Sequence, residues 1–257
     1  GEINLAKQPS RRHSIVLFPT NGVGFGHFTR MLSIARKIKK ERPELEIVFF
    51  TTMPTLHILS DEGIVCYHLP GRYRFDGMNP STWNSICEEL LSLVFAIHRP
   101  KAFIFDGAYP YRGMLNGISS YSDRMLKIWL RRGSIKSESK GIPVDSVGKF
   151  HAIIRPGDSV SDRFTDELKH NVPILRTNPI LLLEKEDLAK RGTLRNRLGI
   201  PDEALLCYVQ LGAGRINDIE SDLSLTLDAL SNFENVYSVV GESMLGERTT
   251  FDHPRIR

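Results

Sequence analysis

The stretch Ser14-Ile15-Val16-Leu17-Phe18-Pro19-Thr20-Asn21-Gly22-Val23-Gly24-Phe25-Gly26-His27-Phe28-Thr29-Arg30 decides the reading of the fold. Its first six residues are a short, nearly continuous apolar run, the pattern of a strand buried on both faces of a parallel sheet. A glycine-rich turn follows at once. Beyond it Phe28, Leu32, Ala35 and Ile38 recur at helical spacing, with Arg36, Lys37, Lys39 and Lys40 largely on the opposite face, and Pro43 ends the helix. EIVFFTT at 46–52 reads as the next strand. Strand, glycine turn, helix and strand together make a βαβ unit.

Working outward, the alternation continues. PTLHILSDEG predicts a helix closed by Gly63, and IVCYHLP at 64–70 a strand. After the loop GRYRFDGMNPS, TWNSICEELLSLVFAIHRP predicts a long amphipathic helix ended by Pro100. KAFIFDG at 101–107 is a strand that ends in an acid, and MLKIWLRR and FHAIIRPG are two more strands. Strands alternating with helices predict an α/β fold with a doubly wound parallel sheet. At VPILRTNPI (172–180) two prolines flank an extended segment that reads as a crossover linker. EKEDLAKRGTLRNRLGI then reads as a helix ending near Gly199. ALLCYVQLGAGRIND opens a second strand–glycine loop–helix unit at Ala204, ENVYSVVGE at 234–242 supplies its second strand, and a third strand would start at DHPRIR. The expected organisation is a Rossmann-like domain over 1–178, a linker and helix over 179–203, and the start of a second domain, left incomplete, over 204–257.

Of the 257 residues, 41% are hydrophobic and 25% charged, which excludes collagen-like, disordered and membrane-spanning classes. The net charge of +4 permits an anionic partner such as a nucleotide, a phosphate or an acidic lipid surface without demanding one. Cys66, Cys87 and Cys207 lie far apart with no C-x-x-C pair, so a reducing compartment is expected. The opening GEINLAKQPSRR has no apolar leader segment, and the longest apolar run, LLSLVFAI at 90–97, falls short of the ~20 residues a spanning helix needs.

The chemistry concentrates at the glycine turn. Glycines there let backbone approach a ligand, and the helix start offers free N–H groups and positive dipole to an anion. A dinucleotide site calls for G-x-G-x-x-G with an acid ending the next strand. Here the spacing is G-x-G-x-G and the second strand ends in Thr51-Thr52-Met53, which argues against a nicotinamide cofactor. His27 falls in the first helical turn, at the carboxyl edge of the sheet, where open α/β sheets bind ligands. Two readings stand for it: a general base, or a capping and packing histidine. Arg30, one turn on, is either a surface residue or an anchor for a phosphate or carboxylate.

Gly24-Phe25-Gly26-His27-Phe28-Thr29-Arg30 resembles the G-x-G-H-x-x-R loop of GT-B glycosyltransferases, in particular the group of the peptidoglycan N-acetylglucosaminyltransferase and the diacylglycerol glucosyltransferases. Asn178-Pro179-Ile180 resembles the N-P-[IV] that ends their first domain. Leu211-Gly212-Ala213-Gly214-Arg215-Ile216-Asn217 is similar to the turn that opens their nucleotide-binding domain. The resemblance implies two Rossmann-like domains, an acceptor-side first domain, and transfer of a sugar from a nucleotide-sugar donor, UDP-sugar above all, to an acceptor hydroxyl. Gly24, Gly26 and Arg30 would form an acceptor or phosphate loop, and Gly212, Gly214 and Arg215 would face the donor diphosphate. The basic run from Arg36 to Arg42 reads as a solvated helix face or, alternatively, as a contact with the anionic inner face of a membrane carrying a lipid acceptor. A cytoplasmic place is expected, and a second domain with only two strands calls for completion by further chain, a partner chain or another copy.

Phe103-Ile104-Phe105-Asp106-Gly107 sets a carboxylate on the same sheet edge as His27. Asp106 either orients the imidazole or caps the following turn. Some members of the GT-B fold use such a His–Asp pair, so the resemblance implies His27 as base and Asp106 as its partner. No Asp-x-Asp stands at a strand end, and His57, His68, His98, His151, His170 and His253 form no metal-ligand spacing, so no metal and no resident cofactor are expected. Nor does the sequence carry a nucleic-acid signature; Trp83 and Trp129 read as core or cleft wall. Two rival functions remain: a nucleotide-sugar epimerase of the same fold, and a non-catalytic subunit or fragment that binds an acceptor or partner.

Overall fold

The computed structural model describes residues 13–20, 25–54, 56–72, 77–131, 144–157, 171–211, 219–241 and 251–257. The chain divides into two compact units, Gly1–Leu182 and Leu183–Arg257.

The first unit is built on a seven-stranded sheet. Its strands are β1 (Ser14–Pro19), β2 (Glu46–Thr51), β3 (Val65–His68), β4 (Ala102–Asp106), β5 (Leu126–Leu130), β6 (Ala152–Pro156) and β7 (Ile174–Thr177). All pair in parallel, in the order β3-β2-β1-β4-β5-β6-β7. The helices are α1 (Gly26–Glu41), α2 (His57–Asp61), α3 (Pro80–His98), α4 (Arg112–Tyr121) and α5 (Val144–Val147). Because side chains alternate across a strand, the apolar runs fill two separate layers. Val16, Phe18, Val48, Phe50, Phe103, Phe105 and Trp129 face α3 and α4 and meet Cys87, Leu91, Phe95, Met114 and Ile118. Leu17, Ile47, Phe49, Ile104 and Leu130 face α1 and meet Phe28, Met31, Leu32 and Ala35. Phe18 sits edge-on to Phe50, Phe103 and Phe105, with ring centroids 4.9, 6.3 and 5.8 Å away.

Three features differ from the sequence reading. The segment at 172–180 is not a free crossover: its residues 174–177 form β7, the edge strand of the sheet. Leu175, Arg176 and Thr177 are exposed there, so no buried pattern marks the strand. The helix read over 184–200 is broken: a 3₁₀ turn at Lys185–Asp187 and α6 (Thr193–Leu198) are separated by Gly192, whose φ of +89° only glycine adopts readily. Finally, α4 was not foreseen. It packs on α3 at glycine distance: a Cβ on Gly113 would lie 2.0 Å from the Asn84 carbonyl oxygen, and the Gly113 N–H donates to Asn84 Oδ1 at 2.7 Å. Gly113→Ala therefore must part the two helices. It is expected to cost about 1–3 kcal/mol and to lower the thermal midpoint by several degrees; an unchanged midpoint would refute this packing.

In the second unit β8 (Leu205–Val209) and β9 (Val236–Val240) pair in parallel, with α7 (Ile219–Ser231) between them in sequence. The expected third strand does begin: Ser238 N–H donates to the Arg255 carbonyl, and Arg257 N–H to the Ser238 carbonyl, both at 2.9 Å. Among the described residues no helix is long and apolar enough to cross a membrane.

Candidate active site

The order β3-β2-β1-β4 makes the carboxyl ends of β1 and β4 neighbours, while the chain leaves them in opposite directions across the sheet. Such a switch point opens a crevice, and open α/β sheets bind ligands there. Pro19 and Asp106 are register partners at this edge. The Thr20 N–H donates to the Asp106 carbonyl at 2.9 Å and the Thr20 hydroxyl donates to it at 3.2 Å, tying the two strand ends together. Gly26 starts α1; it is exposed, and a Cβ there would meet only Arg30 Nη1, 3.9 Å away.

Alternation along β4 sends the Asp106 side chain to the α1 layer, with Ile104. His27 and Arg30 lie three residues apart on α1 and so share one face. Both reach the same carboxylate. His27 Nδ1 is 2.6 Å from Asp106 Oδ1, while the Arg30 Nε–H and Nη2–H donate to Oδ2 and Oδ1 at 3.0 and 2.8 Å. Asp106 is fully buried, and the side chains of His27 and Arg30 are 22% and 17% exposed. A buried carboxylate is tolerable because these charge-assisted bonds replace its water.

The 2.6 Å contact fixes the histidine tautomer. Two lone pairs cannot face one another at that distance, so Nδ1 carries the proton and donates it to Oδ1. Arg30 Nη2 also lies 3.0 Å from Nδ1, but with Nδ1 protonated that approach is contact, not a bond. In the neutral ring Nε2 then keeps its lone pair, and among the described residues it has no hydrogen-bond partner. This is the state of an imidazole ready to accept a proton. A thiolate nucleophile has no comparable setting: burial pushes the Cys66 and Cys87 thiols up to about 12.

The structure thus brings together His27, Asp106 and Arg30. The carboxylate held by Arg30 belongs to the chain itself, a pairing the sequence reading missed. Gly24, Gly212, Gly214 and Arg215 lie outside the described residues. Trp83 and Trp129 are buried in the core, and no cluster of metal-ligating side chains occurs among the described residues.

No family model matches the sequence, and no curated protein matches it. Solved structures do. MurG of Acinetobacter baumannii superposes with a TM-score of 0.54 at 10% identity over 88% of this chain. The glycotransferase of kitacinnamycin gives 0.60 at 11% identity over 96%. The MnaA–UDP co-structure of S. aureus gives 0.57 at 12% identity over 95%. The fold is GT-B. The chain spans 58% of the length of MurG, 71% of the kitacinnamycin enzyme and 67% of MnaA. In this GT-B chain the complete parallel sheet and the His27–Asp106–Arg30 constellation both belong to the first unit.

Proposed function

We propose that this chain belongs to a glycosyltransferase that moves a sugar from a nucleotide-sugar donor, UDP-sugar above all, to an acceptor hydroxyl. The observation that carries the reading is the His27–Asp106 contact at the switch point, with Nδ1 bonded inward and Nε2 free. The GT-B glycosyltransferase neighbours and the UDP in the MnaA co-structure support it. Nε2 takes the proton of the acceptor hydroxyl as its oxygen attacks the anomeric carbon. The bond from that carbon to the donor diphosphate breaks, and the electron pair leaves with the diphosphate. A single displacement of this kind inverts the anomeric centre. Asp106 orients the imidazole and stabilises the imidazolium. Gly212, Gly214 and Arg215 would meet the diphosphate through backbone N–H groups and a cation, and Gly24 and Gly26 would line the acceptor side. The acceptor is a glycan, a lipid or a small molecule bearing a hydroxyl.

A second reading, a nucleotide-sugar epimerase, is favoured by neighbours that are UDP-N-acetylglucosamine 2-epimerases, one with a TM-score of 0.57 over 96% of this chain. One assay separates the two. The complete gene product containing residues 1–257 is incubated with UDP-, GDP- and TDP-sugars, with and without acceptor hydroxyls. Acceptor-dependent release of nucleoside diphosphate supports transfer; conversion of the sugar with no acceptor supports epimerisation. The sequence carries no Asp-x-Asp handle, so transfer is expected to survive EDTA. Loss restored by magnesium or manganese would refute metal-independent chemistry.

A further inference from the structure

We propose that Arg30 is a positioning residue of the His27–Asp106 pair, fixing the carboxylate against Nδ1 and setting a second positive charge beside the imidazole. The inference rests on the reading of His27 as a base, and it replaces the ligand-anchoring role that the sequence alone suggests for Arg30. Three distances carry it. Arg30 Nη2 stands 2.8 Å from Asp106 Oδ1 and 3.0 Å from His27 Nδ1, while those two atoms lie 2.6 Å apart. Imidazole, carboxylate and guanidinium thus form a closed triangle, and the second arm, Nε to Oδ2 at 3.0 Å, completes a fork.

The fork has two consequences. First, it spends both carboxylate oxygens, so Asp106 cannot swing away from Nδ1; two parallel N–H···O bonds set the plane as well as the distance. Second, it sets the charge. With Arg30 present the buried aspartate is already neutralised. An imidazolium formed when Nε2 gains a proton then meets a guanidinium beside it as well as a carboxylate. A like charge this close opposes the protonated form. Arg30 thus offsets part of the pull that the Asp106 carboxylate exerts on a proton at the imidazole. Among the described residues, the charged groups in contact with the His27 ring are Asp106 from β4 and Arg30 from α1.

The test is an NMR titration of the His27 ring in the 257-residue chain, its signals identified by their loss in His27→Ala. It needs no substrate, so it can be read whether or not transfer is found. Arg30→Met removes the cation, so the imidazolium gains and the midpoint should move to higher pH, by about one unit or more. Arg30→Lys restores a cation without the fork and should bring most of the shift back. An unmoved or lowered midpoint in Arg30→Met overturns the proposal. Arg30→Met leaves a buried carboxylate with one partner fewer and could fail to fold. A second comparison then decides: Asp106→Asn against the double variant Arg30→Met/Asp106→Asn, in which no buried charge is left alone. The double variant should titrate at the higher pH, and equal midpoints overturn the proposal. In the active gene product Arg30→Lys should lower kcat with KM nearly unchanged. A raised KM for an anionic acceptor with kcat intact would return Arg30 to ligand anchoring.

Discussion

Replacing His27 by alanine in the complete gene product is expected to cut turnover by roughly 10²–10⁴-fold, the usual contribution of a positioned general base. The imidazole at the β1–β4 switch point offers a ring nitrogen, Nε2, that has no hydrogen-bond partner among the described residues. Without it the acceptor hydroxyl must lose its proton to water. The fold should not suffer in proportion. Arg30 keeps both bonds to Asp106, so the buried carboxylate stays paired, and only a side chain already 22% exposed is removed. Donor binding should also be little changed, since the glycine loop proposed to meet the donor diphosphate, at 212–214, belongs to the second unit. Turnover, thermal midpoint and donor affinity measured together therefore separate the roles. A large loss of kcat with the other two steady identifies the base. Near wild-type turnover would return His27 to packing.

How much of this was legible in the sequence depends on how local each signal is. The first βαβ unit announces itself within about forty residues, because the apolar run, the glycine turn and the helical period lie side by side. Helix α4 gives no such signal. Gly113, Gly117, Ser119 and Ser120 are poor helix formers in isolation. The glycines pay off only against α3, where a Cβ at Gly113 would strike the Asn84 carbonyl and one at Gly117 would touch Leu91. Strand β7 is equally quiet: at the edge of the sheet it buries little, and its flanking prolines read as linker. The site shows the same division. His27 and Asp106 could be placed at one sheet edge from their positions after strands. That Arg30 grips the same carboxylate could not, because it needs β4 beside β1 with two strands and three helices of chain between them, and alternation along β4 turning Asp106 toward α1. Spacing of three put Arg30 on the face of His27; only the strand order says what that face meets.

Changing Asp106 to asparagine tests both halves of that arrangement. Asparagine keeps one acceptor oxygen but presents an NH₂ group in place of the other. If the oxygen takes the Oδ2 place, it keeps only the bond from Arg30 Nε–H, and the NH₂ at the Oδ1 place faces Nδ1 and donates to it. The imidazole proton is then driven to Nε2, and the lone pair that should meet the acceptor is gone. Turnover is expected to fall on the order of 10⁴-fold, the loss seen when the aspartate of a catalytic triad becomes asparagine. If instead the oxygen turns to Nδ1, the tautomer survives and Arg30 loses its second bond. Either way the guanidinium, 17% exposed, is left without its counter-charge. Removing one partner from a buried pair costs about 3–5 kcal/mol, and the retained oxygen should hold the loss toward the lower figure. Both effects are expected in one protein: a destabilisation seen by denaturant titration and a collapse of kcat among the molecules still folded. A folded Asp106→Asn protein within tenfold of wild-type turnover would show that His27 needs no carboxylate to act, and the switch-point pair would then be a structural tie between α1 and β4.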